Sequence, residues 1–251
     1  MSSTPLALRG ISANSQFRPL RILSALDGHA QNYIDENRTR EAAVIVIEDN
    51  ATVRAAVKEL IESVGLKVSI YGSGGAFLDA PIPDTASCLV LDVRLPEMSG
   101  IQVQEELSRA GRYVPVVFIS GYADVSMAVR AMKAGAIDFL TKPFRSQDLL
   151  DAVFAALEQD SARRKMQQLH STIRENFESL SVREKEVIAR VAAGNRNKQI
   201  ATELGLSEVT VKVHRANAMR KMHATTLAQL IRMFEHADTA PPQSCQNLVA
   251  A

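Results

Sequence analysis

The 251-residue chain holds only two cysteines, Cys88 in an apolar run and Cys245 in a Pro/Gln-rich tail. That pair offers neither a disulfide framework nor the spacing of a metal-ligand set. No apolar run reaches the ~18–20 residues a membrane span requires. Near the start, Leu6-Ala7-Leu8 is followed at once by Arg9, which is not the compact apolar region of a secretory signal. The expected location is the cytoplasm, with no membrane partner. Net charge is also scarce, at 29 Lys/Arg against 28 Asp/Glu. Taken whole, that balance points away from nucleic acid. Residues 42–160, however, carry 10 Lys/Arg and 16 Asp/Glu, whereas residues 161–251 carry 14 and 8. An acidic body joined to a basic end predicts two modules with different partners.

Hydrophobic patterning divides the chain further. Residues 1–41 are polar and aperiodic and are expected to form a mobile extension. From Ala43 a βα alternation begins. Short apolar runs at 43–47, 68–71, 88–91, 114–119 and 137–141 alternate with helical patterns, closed at Gly65 and Gly135 and capped at Ser99. Five such repeats predict an α/β domain over 42–160, with a parallel sheet between two helical layers. The last helix is expected to continue past Asp160. Met166, Leu169, Ile173, Phe177 and Leu180 form a helical stripe across a linker at 161–179. That stripe fits an amphipathic linker packed on its own domains as well as it fits a dimer seam. Residues 180–236 predict four short helices, entered by the capping box Ser181/Glu184 and turned at Gly194 and Gly205. Residues 237–251 are expected to be a disordered tail.

In open parallel sheets, ligands lie beyond the carboxyl ends of the strands. Here those ends carry Glu48-Asp49, Asp92, Ser120 and Lys142. Three carboxylates sharing a pocket need a cation, and a partly exposed oxygen site suits Mg²⁺. Asp92 beside that metal is a candidate nucleophile toward phosphorus. Lys142 and the Ser120 hydroxyl are candidate partners of the phosphoryl oxygens.

The stretches VIVIEDN (44–50), LVLDVRLPEMSG (89–100), VVFISGYAD (116–124) and AMKAGAIDFLTKPF (131–144) resemble the receiver domain of two-component response regulators. The resemblance implies a five-stranded flavodoxin-like fold and phosphorylation of Asp92 by a sensor histidine kinase. It implies Mg²⁺ held by Glu48, Asp49, Asp92 and the backbone carbonyl of Arg94. Ser120 and Phe139 match the family's switch pair, and Arg94 and Tyr122 its rate-tuning positions. It also implies homodimerisation on phosphorylation, with Arg130, Lys133 and Asp138 as candidates for the dimer face. Glu48 stands where the family more often has Asp, which suggests contact with the metal through water.

The basic end holds a second constellation. Within 209–222, Val211, His214, Ala218 and Met222 define a buried face, and Lys212, Val213, Arg215, Asn217, Arg220 and Lys221 fall on the remaining arc. A basic helix presented after a short glycine turn has the layout of a recognition helix. The run LSVREKEVIARVAAGNRNKQIATELGLSEVTVKVHRANAMRKM (180–222) resembles the LuxR-type helix-turn-helix output domain. That resemblance implies dimeric binding to promoter DNA. Lys212 and Val213 would read bases, and Asn197, Lys198, Thr210, Arg215 and Lys221, with Arg196 nearby, would lie against the DNA. His223 replaces the family's glycine after this helix; a positive φ there would carry strain.

The combined resemblance is to the FixJ/NarL class. It implies a phosphorylation-switched transcriptional regulator, with RNA polymerase a candidate partner. Self-phosphorylation and slow autodephosphorylation are the only turnover expected. A phosphate sink with a vestigial DNA module is the first alternative. A haloacid-dehalogenase-like hydrolase is the second, and Arg94, where such enzymes carry a second Asp, disfavours it.

Overall fold

A computed structural model describes residues 42–122 and 124–239. The expectations for residues 1–41 and for most of the tail lie outside those residues. Five strands, β1 (Ala43–Ile47), β2 (Lys67–Tyr71), β3 (Ser87–Asp92), β4 (Val116–Ser120) and β5 (Asp138–Thr141), form one sheet. The strand order is β2-β1-β3-β4-β5 and every pairing is parallel. Helices α1 (Ala51–Ser63), α2 (Gly74–Leu78), α3 (Gly100–Arg109), α4 (Val125–Lys133) and α5 (Ser146–Glu178) follow the five strands in turn.

The two faces follow from strand alternation. Val44, Val46, Val90, Val117 and Ile119 pack against Val57 and Ile61 of α1 and Leu149, Val153 and Ala156 of α5. Ile45, Ile47, Leu89, Leu91 and Phe118 pack on the opposite face against Phe77, Val103, Leu107 and Ala131. Because both faces are covered, β1, β3 and β4 are buried throughout, which is why they are near-continuous apolar runs. Two strands start later than the apolar pattern suggests. β4 begins at Val116 because Pro115 has no N–H to give the ladder, although its carbonyl accepts from Leu89 N at 2.9 Å. β5 begins at Asp138, after Ile137 N has bonded Val116 O.

α5 runs unbroken for 33 residues. Its first half buries Leu149, Ala152, Val153 and Ala156 on the sheet. Its far end delivers Ile173 and Phe177 to a second core. That core is built by α6 (Val182–Ala192), α7 (Asn197–Leu204), α8 (Glu208–Lys221) and α9 (Leu227–Thr239). Leu180, Ile188, Ala218, Met222, Leu230 and Phe234 form one cluster there. Val187, Val191, Ile200, Ala201 and Val211 form its neighbour. Phe177 meets Phe234 edge-on at 5.3 Å, a favourable aromatic geometry. The second half of the linker stripe is thus core of the helical domain, while Met166 and Leu169 are half-buried. His214 is also half-buried, whereas Val211, Ala218 and Met222 are buried.

Candidate functional site: acidic pocket and basic helix

The acidic pocket is assembled by strand ends. β1 delivers Glu48 and Asp49, after which the chain turns into α1. Asn50 caps that helix, its side chain accepting from Thr52 N and Val53 N. Its own N–H donates to Asp49 Oδ1 at 2.9 Å and Glu48 Oε1 at 3.3 Å. β3 delivers Asp92, whose Oδ1 accepts the Arg94 N–H at 2.9 Å. One carboxylate oxygen from each of Glu48, Asp49 and Asp92 lies within 4.8 Å of the others. Glu48 is 1% exposed and Asp92 6%, whereas Asp49 faces solvent.

Lys142, just after β5, reaches across the sheet. Its ammonium donates to Glu48 Oε2 at 2.5 Å and to Asp92 Oδ2 at 2.6 Å. Burial pushes the Glu48 carboxyl above the usual carboxylate range; the Lys142 bond opposes this and the Asp92 charge adds to it. Burial also works against the Lys142 ammonium, but its bonds to Asp92 and Glu48 outweigh it and hold its pKa above the ordinary lysine value. Three carboxylates against one ammonium leave a charge that a hard divalent cation would neutralise, and carboxylate oxygens are the donors such a cation prefers. The donor set therefore fits Mg²⁺.

Ser120 ends β4, and Phe139 lies within β5 in register with Phe118. The buried Ser120 hydroxyl donates to Tyr122 O at 3.0 Å and faces the Tyr122 N–H at 3.4 Å. Phe139 is half-buried beside Phe118, their ring centroids 6.2 Å apart. The Arg94 guanidinium lies over the exposed Tyr122 ring at 4.7 Å. On the neighbouring surface, Arg130 and Lys133 of α4 are exposed and Asp138 is half-buried, accepting from Phe139 N.

Two pocket residues escaped the sequence reading. The Arg54 guanidinium donates to the carbonyls of Glu48 at 2.7 Å and Asp49 at 3.1 Å, bracing the turn that carries both acids. An arginine six residues on, inside a helix, gave no signal of that contact. Gly100 is the second residue of the Ser99-Gly100 pair that follows the Asp92 strand, a weak hint of crowding. A Cβ there would stand 2.3 Å from the Asp92 carbonyl oxygen, so only glycine allows α3 to start this close to β3.

The second candidate surface is α8. Ser207 caps it, accepting from Thr210 N at 3.1 Å, and Gly205 makes the preceding left-handed turn at φ 66°. Lys212, Val213, Lys198 and Arg196 are exposed, and Thr210 is half-buried with its hydroxyl 2.8 Å from Ser207 Oγ. Two expected DNA contacts also have partners inside the protein. Arg215 Nη1 donates to Asn197 Oδ1 at 2.6 Å. Lys221 Nζ donates to Glu184 Oε2 at 2.7 Å and Ser179 O at 3.1 Å, leaving one of its three N–H bonds. His223 ends the helix at φ 52°, in the left-handed region.

Comparison with known proteins matches these two sites separately. The family model described as response regulator receiver domain matches residues 44–154. The model described as bacterial regulatory proteins, luxR family, matches residues 178–234. Nodulation protein W of Bradyrhizobium diazoefficiens is 51% identical over 195 residues, covering 78% of this chain and 86% of that protein. Transcriptional regulatory protein FixJ of Azorhizobium caulinodans is 41% identical over 198 residues, covering 79% and 94%. The solved structure of the response regulator StyR superposes with a TM-score of 0.73 at 43% identity, covering 78% of this chain and 98% of that one.

Proposed function

Because the chain belongs to the two-component response regulators with a LuxR-type DNA-binding domain, and is therefore a phosphorylation-activated transcriptional regulator rather than an enzyme, we propose that Asp92 is its phosphoacceptor. A histidine kinase and DNA are the partners this architecture carries. The observation that supports the assignment most strongly is the Lys142 ammonium bridging Glu48 and Asp92 at 2.5 and 2.6 Å. It holds a cation beside the one carboxylate that stands at the centre of the sheet's carboxyl edge.

Mg²⁺ would be held by Glu48, Asp49, Asp92 and the Arg94 backbone carbonyl, with Glu48 acting through water. When bound, it supplies positive charge against the phosphoryl oxygens. Asp92 attacks the phosphorus of a phosphohistidine, an O–P bond forms, and the P–N bond breaks with its electron pair returning to the imidazole. The Arg94 N–H keeps one Asp92 oxygen in place. Lys142 exchanges a carboxylate for a phosphoryl oxygen. Ser120 leaves the Tyr122 backbone to donate to another, and Phe139 turns into the space vacated. Autodephosphorylation by water reverses the state.

The altered surface is α4–β5, where Arg130, Lys133 and Asp138 form part of a homodimer face. The receiver spans 42–160, the linker 161–179 and the output domain 180–236. In the output domain Lys212 and Val213 meet bases. Lys198, Thr210, Asn197, Arg215 and the free N–H of Lys221 meet phosphates, fixing register. The protein works in the cytoplasm, where RNA polymerase is a further partner. Among the described residues no helix is long and apolar enough to cross a membrane. The test is mass spectrometry after acetyl phosphate and Mg²⁺. One phosphoryl group on the peptide carrying Asp92, absent from Asp92→Asn, is expected; modification elsewhere would overturn the assignment.

A further inference from the structure

α8 is apolar on two opposite faces. Val211 and Ala218 are fully buried. At about 100° per residue, Val209, Val213 and Ala216 fall roughly 180° away, in one stripe down the outer face. Val209 is 70% exposed and Val213 51%, and Ala216 is exposed between them and Arg220. Large apolar side chains left in water on a helix rimmed by charge mark a contact surface. The rim is mostly basic: Lys212 beside the stripe, Arg220 at its end, Lys198 on the neighbouring helix and Arg196 just before it, all exposed, stand against one exposed acid, Glu208, in the first turn. Such a rim complements a polyanion, and that fixes the partner as DNA rather than an apolar protein groove.

None of the three stripe side chains has a hydrogen-bonding atom. They are therefore unable to read the donor and acceptor pattern of base edges. The major groove offers one apolar feature, the C5-methyl of thymine. From Val209 to Ala216 the helix rises about 10 Å, the length of about three base steps at 3.4 Å each. We propose that Val209, together with Val213 and Ala216, forms a methyl-reading edge that selects thymine over about three consecutive base pairs. Lys212, donor-only, is left to mark a guanine at the flank. Val209 is the residue this adds to the base-reading pair Lys212 and Val213, and the inference rests on the DNA-binding reading above.

The test uses the full chain, phosphorylated with acetyl phosphate and Mg²⁺, to enrich duplexes from a random library. Each enriched thymine is then replaced by deoxyuridine, which lacks only the methyl. Loss of one buried methyl-sized contact predicts about fourfold weaker binding at one or more thymines in each half-site. Val209→Ala should abolish that sensitivity at one position and Val213→Ala at another, while the thermal melting midpoint of each variant stays unchanged. Sequence-specific binding that ignores deoxyuridine would overturn the methyl edge and leave DNA binding standing. Sensitivity that survives both substitutions would overturn the assignment to these valines. Enrichment of no sequence at all, with no binding to any duplex, would remove the DNA-binding reading and this inference with it.

Discussion

The carboxylate of Asp160, fully buried within α5, accepts the backbone N–H of Ser87 at the first residue of β3, 2.9 Å away. Its other contacts are the guanidinium groups of Arg163 and Arg164, each at 2.7 Å. Arg164 continues to Pro83 O and Asp84. The helix that leads to the output domain is thus fastened to the strand whose far end carries Asp92. Asp160→Ala leaves a buried N–H and two arginines without their acceptor, a change of the kind that costs about 3 kcal/mol. Asp160→Asn keeps an acceptor for Ser87 and should cost less than half of that. Urea unfolding of the receiver transition measures both; equal and negligible losses would show that α5 is held by apolar packing alone.

His223 closes α8 in the left-handed region, with Ala224 N bonded to Met219 O and His223 N to Arg220 O. Gly135 closes α4 through the same pair of bonds, Ala136 N to Ala131 O and Gly135 N to Met132 O. A side chain in that region costs about 1–2 kcal/mol. His223→Gly should therefore stabilise the output domain by about 1 kcal/mol, raising its melting midpoint by about 4–8 °C. His223→Val should lower it.

Glu184 is buried and accepts from Ser181 N and Lys221 Nζ, both at 2.7 Å. Burial pushes its carboxyl up, but the Lys221 and Ser181 bonds prevail and hold its pKa below the ordinary value of 4.5. Its folded pKa is depressed, so its stabilisation is complete above about pH 4.5 and is lost as pH falls through the lower folded value. Thermal melts should show the output domain weakening in that acid range. Glu184→Gln should lower stability at neutral pH and flatten the acid slope; an unchanged slope would contradict the ion pair's role.

Mg²⁺ that binds only the folded pocket should stabilise the receiver by mass action, by about 2.7 kcal/mol at a hundredfold excess over Kd. Asp49→Asn and Asp92→Asn should each blunt this gain, measured as a shift in melting midpoint on adding MgCl₂. An equal shift in all three proteins would place the ion elsewhere.

Much of this architecture was legible in the chain. The run Ala43–Ile47 is a strand over those same residues, because two covered faces demand an unbroken apolar run. Ser99 and Ser181 cap helices through full capping boxes, since the partners Gln102 and Glu184 lie three residues on. The strand-end rule brought Glu48, Asp49, Asp92 and Lys142 together in prospect. Contacts made by chain closure were not legible. Asp160 finds Ser87 across 73 residues, and Glu184 finds Lys221 across 37. Neither pairing has a local spacing to announce it. Exposure along α8 was legible in part: the spacing put Val211 on the buried face and Val213 on the arc away from it, as the fold has them, but His214, expected on the buried face, is only half-buried.

The central claim is that chemistry at Asp92 controls binding at α8. The direct measurement is the affinity of the full chain for an enriched duplex at fixed salt, with and without acetyl phosphate and Mg²⁺, for wild type and Asp92→Ala. Coupling of ordinary size predicts about tenfold tighter binding by the treated wild type and no change in Asp92→Ala. Equal tightening in both proteins, or none in the wild type once Asp92 carries its phosphoryl group, would contradict the account.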